Sequence, residues 1–73
     1  MERLGTLHRI AQGLAIVRVA DSPDIGSTVV DDQLEDVGIV VDVFGPVDAP
    51  YATVAATGDR RLAPLIGEPL YLR

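Results

Sequence analysis

The chain has 73 residues, enough for one domain with a single small core and no more. It carries 11 Asp and Glu against 6 arginines, a net charge of −5, with no lysine and no cysteine. This inventory excludes disulfides and thiolate metal sites. It also argues against a direct nucleic-acid binder, which gains affinity from cations that neutralise phosphates.

A core this small supplies roughly 3–5 kcal/mol, so barrel closure or a docked partner is needed to deal with exposed sheet edges. The apolar runs fall far short of the roughly 20 residues of a membrane span, and no secretory leader pattern opens the chain. The expectation is a soluble cytoplasmic protein. A high-salt cytoplasm, where dense carboxylates preserve solubility, accounts for the acidity; an ordinary acidic domain is the plainer reading.

Residues 4–11 read as a first strand with imperfect alternation, and Gln12-Gly13 as a short turn. Leu14 to Ala20 is a second strand, with Ala15, Val17 and Val19 on the core face and Arg18 opposite. Asp21 to Gly26 is a loop, Ser27 to Asp31 a short third strand, and Asp32 to Asp36 a turn. From Val37 to Phe44 runs the long central strand. Its odd-numbered residues Val37, Ile39, Val41 and Val43 are all β-branched and are assigned to the core, which puts Val40, Asp42 and Phe44 on the opposite face.

Pro46 and Pro50 then pin a loop at both ends, with Gly45 giving freedom at the strand exit and Asp48 able to close a turn through its side chain. Tyr51 to Ala56 forms a fifth strand, residues 57–61 a polar loop, and Leu70 to Leu72 a final short strand. Leu62 to Ile66 stays ambiguous. No helical period, internal repeat or low-complexity tract appears. One domain over residues 1–73 is expected, all-β: a small closed or nearly closed antiparallel barrel of about six strands.

The candidates for chemistry are few. His8 is the lone histidine and reads as a strand residue, since a metal site needs three or four converging ligands. Ser22 and Ser27 lack the context of a nucleophile. Asp31-Asp32 and Glu35-Asp36 lack the spacing of a Ca²⁺ loop and read as a solvated acidic turn. No phosphate-cradling glycine motif precedes a helix. No enzyme activity, cofactor, metal or small-molecule substrate is expected. Arg60-Arg61 is the one cluster of cations, either a solvated turn or a contact to RNA or a partner. Tyr51 and Tyr71 could stack bases, but without surrounding Lys or Arg, packing or partner contact is the better reading.

The run Gly38-Ile-Val-Val-Asp-Val-Phe-Gly-Pro-Val, with Pro50-Tyr51 and the later Gly67-Glu-Pro-Leu-Tyr, resembles the GAR-type small barrel subunit of H/ACA ribonucleoprotein particles. These particles carry out RNA-guided pseudouridylation of rRNA. Leu4-Gly-Thr-Leu-His and Leu14-Ala-Ile-Val-Arg are similar to the family's first hairpin, so the resemblance spans nearly the whole chain. The absence of a Gly-Arg-rich tail is similar to archaeal members.

The resemblance implies a barrel of the translation-factor type and a non-catalytic subunit. Such a subunit docks on the pseudouridine synthase and affects substrate loading and release through the synthase thumb loop; guide RNA and rRNA are indirect partners. The partner-binding residues it implies are Val40, Asp42, Phe44, Gly45, Pro46, Val47, Pro50 and Tyr51. Stiff, apolar and aromatic, most of this set suits an interface core. The chain departs from the family at Glu68, where its members carry Lys. A small-barrel RNA- or ribosome-binding module is the alternative, because fold alone does not fix function.

Overall fold

The computed structural model describes residues 2–73. Six strands close into one antiparallel barrel: β1 (Glu2–Ala11), β2 (Leu14–Val19), β3 (Thr28–Val30), β4 (Asp36–Phe44), β5 (Tyr51–Ala56) and β6 (Pro69–Leu72), in the order β1-β2-β5-β4-β3-β6. The ambiguous segment forms a single 3₁₀ turn at Ala63–Leu65, with Pro64 in its first turn. Leu62, just before it, is 7% exposed and packs against the core. Gln12 and Gly13 join β1 to β2 with φ of 54° and 78°, the conformation that matches the twist of a tight hairpin.

The interior is aliphatic. Leu4, Leu7, Ala15, Val17, Val19, Val29, Val37, Val40, Ala52, Val54, Leu62 and Leu70 form one cluster. The second strand behaves as expected, with Ala15, Val17 and Val19 inward and Arg18 exposed.

The fourth strand does not keep strict alternation. Its register shifts once against β3, between the pairs Val29–Gly38 and Val30–Asp36, and once against β5, between Val40–Val54 and Asp42–Thr53. Each bulge adds a residue and reverses the parity of the strand residues beyond it. Val37 and Val40 are therefore fully buried and Val43 partly so, whereas Ile39 and Val41 are each 44% exposed. The bulges correct two expectations. Ile39 and Val41 leave the core, and Val40 leaves the outer face to enter it.

The first strand carries the same two bulges. Its register shifts against β6 between Arg3 and Gly5, and against β2 between Leu7 and Arg9. Gly5 thus corresponds to Gly38, Leu7 to Val40, and His8-Arg9 to Val41-Asp42. The pairing of β2 with β5 maps onto itself about the central pair Ile16–Thr53, and the pairing of β3 with β6 about Val30–Tyr71. The barrel is two copies of one three-stranded unit, β6-β1-β2 and β3-β4-β5, about a pseudo-two-fold axis. No repeat is visible in the sequence because few equivalent positions share a residue: Gly5 and Gly38, Ala15 and Ala52, Val17 and Val54 do.

Candidate partner-binding surface

The two halves differ most where their hairpins turn. Residues 12–13 make a minimal turn in one; residues 45–50 make a longer, prolyl loop in the other. Phe44 closes β4 directly opposite Tyr51, which opens β5, and their rings stack with centroids 5.5 Å apart and planes 16° apart. Such an offset stack holds both side chains in one place. Gly45 comes next with φ of 98°, and a β-carbon there would lie 3.3 Å from the Tyr51 ring. A left-handed turn packed against an aromatic is a place for glycine.

The loop is then closed by its backbone: the Ala49 N–H donates to the Pro46 carbonyl at 3.1 Å. That bond takes the place expected for the Asp48 side chain. Pro50 is buried, and its carbonyl accepts from the Val19 N–H at 3.2 Å, tying the loop to the end of β2. Pro50 thus supports the loop from inside. Pro46, Val47, Asp48 and Ala49 are exposed, with the Val47 side chain wholly in solvent.

Of the residues expected to face a partner, the hairpin brings Phe44, Gly45, Pro46 and Val47 together at its end, with Tyr51 half-buried beneath Phe44. Asp42 is exposed on the outer face, and its Oδ1 accepts from the Val43 N–H at 2.8 Å. Val40 is buried. Ile39 and Val41 are the residues that sequence reasoning missed; together with Phe44 they extend the exposed apolar surface along the outer face of β4. Gly38, just before Ile39, marks where the backbone of β5 comes too close for a β-carbon, but the residue types alone give no sign of the bulges that turn Ile39 and Val41 outward.

The clustered arginines separate. Arg61 is exposed, but Arg60 donates from Nη2 to Asp31 Oδ2 at 2.6 Å and from Nη1 to the Asp36 carbonyl at 2.9 Å. These two bonds tie the 57–61 loop to the turn at Asp31 and to the start of β4. Asp31 is no solvated turn residue: it is 6% exposed, and its Oδ1 accepts from the N–H groups of Gln33 and Glu35. The Arg60 hydrogen bond, with those two N–H groups, holds its carboxyl below the ordinary aspartate pKa against the opposing effect of burial. Arg73 makes a second ion pair, at 3.1 Å to Asp36. No group of three or more His, Asp or Glu side chains converges as metal ligands would among the described residues.

A comparison with curated proteins returns no match. A closed six-stranded barrel with a stiff aromatic hairpin end agrees with the match of residues 1–73 to a protein-family model described as the Gar1/Naf1 RNA binding region, and the chain belongs to that family.

Proposed function

We propose that this protein is a non-catalytic subunit of an H/ACA ribonucleoprotein, which docks on the pseudouridine synthase subunit through the end of its β4–β5 hairpin. Membership of an RNA-binding accessory family supports the ribonucleoprotein setting and a role other than catalysis. The observation that carries the docking reading is the hairpin end itself. There a fully exposed Val47 and a stacked, 43% exposed Phe44 stand on a loop braced by Gly45, Pro46 and the buried Pro50.

Exposed apolar groups on a pre-ordered loop lose little entropy on binding and desolvate readily, the properties of interface anchors. Val41 and Ile39 continue the surface, and Asp42 stands at its side as a polar rim group. Docked there, the barrel affects the loading and release of substrate RNA through the synthase thumb loop, and guide RNA and rRNA are its indirect partners.

The test is calorimetric titration of the protein into the purified synthase subunit. Phe44→Asp and Val47→Asp should each weaken binding by about 2 kcal/mol or more, roughly thirtyfold, with the circular dichroism spectrum unchanged. Affinity that is the same for both variants and the parent would overturn the docking reading.

A further inference from the structure

Every strongly exposed large apolar side chain among the described residues except Ile66 lies between Ile25 and Val47. Ile39, Val41 and Phe44 lie along the outer face of β4, and Val47 stands beyond its end. The chain at Ile25 runs alongside, because the Gly26 N–H donates to the Val40 carbonyl at 2.7 Å. Leu34, 56% exposed, stands in the turn that leads into the start of β4. The pseudo-two-fold axis shows that the barrel does not require this apolar surface. In the other half Thr6, His8 and Ala11 stand at the places of Ile39, Val41 and Phe44.

Leu34 is the costly member of the set. Its N–H closes the turn by donating to the Asp31 carbonyl at 3.0 Å, and its own φ is 64°. A three-residue hairpin turn that ends in the left-handed region is a place for glycine, because a β-carbon is strained there. The chain puts glycine at five positions of positive φ, and Leu34 is the one apolar side chain at such a position among the described residues. Nor can the turn relax. Asp31 Oδ1 accepts from the N–H groups of Gln33 and Glu35, and Arg73 Nη2 donates to the Leu34 carbonyl at 2.8 Å. Leucine therefore costs stability at a point where more than half of its surface stays in water. Strain held in place by the bonds around it is a mark of a site that meets a ligand.

The charges beside it select that ligand. Asp32 and Glu35 flank Leu34, both exposed and neither in an ion pair among the described residues. Such carboxylates repel RNA phosphates, and they repel a second copy of a chain whose net charge is −5. The complement is a protein surface with an apolar pocket ringed by Lys or Arg. The nine residues of β4 span about 30 Å. A standard interface, roughly 800 Å² on each side, is about as wide. One partner can thus cover Val47 and Leu34 together, with Ile39 and Val41 between them.

We propose that Leu34 is a second anchor for the partner that docks at the end of the β4–β5 hairpin, filling an apolar pocket whose basic rim pairs with Asp32 and Glu35. Its role rests on the docking reading and extends it, because the contact then runs the length of β4. One anchor at the hairpin end leaves the barrel free to rotate on the synthase subunit. A second at the other end of the strand fixes that rotation.

The experiment titrates the full chain into the purified synthase subunit by calorimetry and follows urea unfolding of each variant alone. Leu34→Gly and Leu34→Asn, residues that accept the left-handed region, should leave the urea midpoint unchanged or raise it. Both should weaken synthase binding by about tenfold or more. Leu34→Met restores an apolar side chain and should bind within about threefold of the parent. The variant carrying Asp32→Asn and Glu35→Gln should bind more weakly at low salt and lose part of the salt dependence.

A protein that is no less stable yet binds less well is a result that a purely structural role for Leu34 does not give. A lower urea midpoint for Leu34→Gly would assign the side chain to the fold and overturn the proposal. Parent-like affinity of the Gly and Asn variants would overturn it too, and parent-like binding of the amide variant at low salt would remove the basic rim. Weak binding by Phe44→Asp with parent-like binding by Leu34→Gly would leave docking at the hairpin end intact and sink only the second anchor. No binding by the parent would overturn both.

Discussion

Gly38 lies so close to Ala55 that a β-carbon on it would stand 2.1 Å from the Ala55 carbonyl oxygen. Gly5 meets the carbonyl of Arg18 in the same way, at 1.8 Å, in the other half of the barrel. In both places the obstacle is backbone of the neighbouring strand, which cannot rotate aside as a side chain would.

Gly38→Ala should therefore separate β4 from β5. The expected loss is at the upper end of the 1–3 kcal/mol typical of overpacking, about 3 kcal/mol, and a urea midpoint measures it. Gly13→Ala is the control. Gly13 has φ of 78° but open space around its missing β-carbon, so only the left-handed backbone is strained, at about 1 kcal/mol.

The bulges make opposite predictions for two adjacent valines. Val40→Ala empties part of a fully buried site and should cost about 2 kcal/mol. Val41→Ala removes a side chain that is 44% exposed and should change stability by less than about 0.5 kcal/mol. If the docking surface includes Val41, the second variant weakens synthase binding without altering the unfolding midpoint. Equal destabilisation by the two would contradict the register.

The Asp31–Arg60 pair gives the stability a pH dependence of known sign. The folded-state pKa of Asp31 is lowered, so its contribution is fully present above the ordinary aspartate range and is lost as the pH falls through the folded value. Asp31→Asn should cost about 1–3 kcal/mol at neutral pH, because it leaves a partly buried guanidinium with a weaker acceptor. The difference between parent and variant should shrink as the pH drops below about 4, the ordinary aspartate value. Urea unfolding at the two pH values is the measurement, and a gap that does not change with pH would separate the loss from the carboxylate charge.

Much of the architecture is written locally. Short β-branched runs between Gly and Pro mark the strands. Tyr51–Ala56 agrees at both ends with the strand expected there, and Gln12-Gly13 turns where a tight hairpin turn should. The Phe44-Gly45-Pro46-Val47 end is legible for the same reason: its stiffness comes from residue types acting within a few positions of each other.

Local sequence determined where strands begin and turn, and that the hairpin end would be rigid and apolar. Tertiary structure alone decided which residues face inward and which charges are left over. Side-chain direction in a strand depends on pairing register, and each bulge along β4 reverses it; hence Val40 and Val41 exchanged roles although both are valines. The Arg60–Asp31 bond spans chain segments that the sequence separates, and so do the cross-strand pairs Arg3–Tyr71 and Arg18–Tyr51. Such neighbours exist only once the barrel closes, because β6 reaches β1 from the far end of the chain, and no spacing within one segment encodes that meeting.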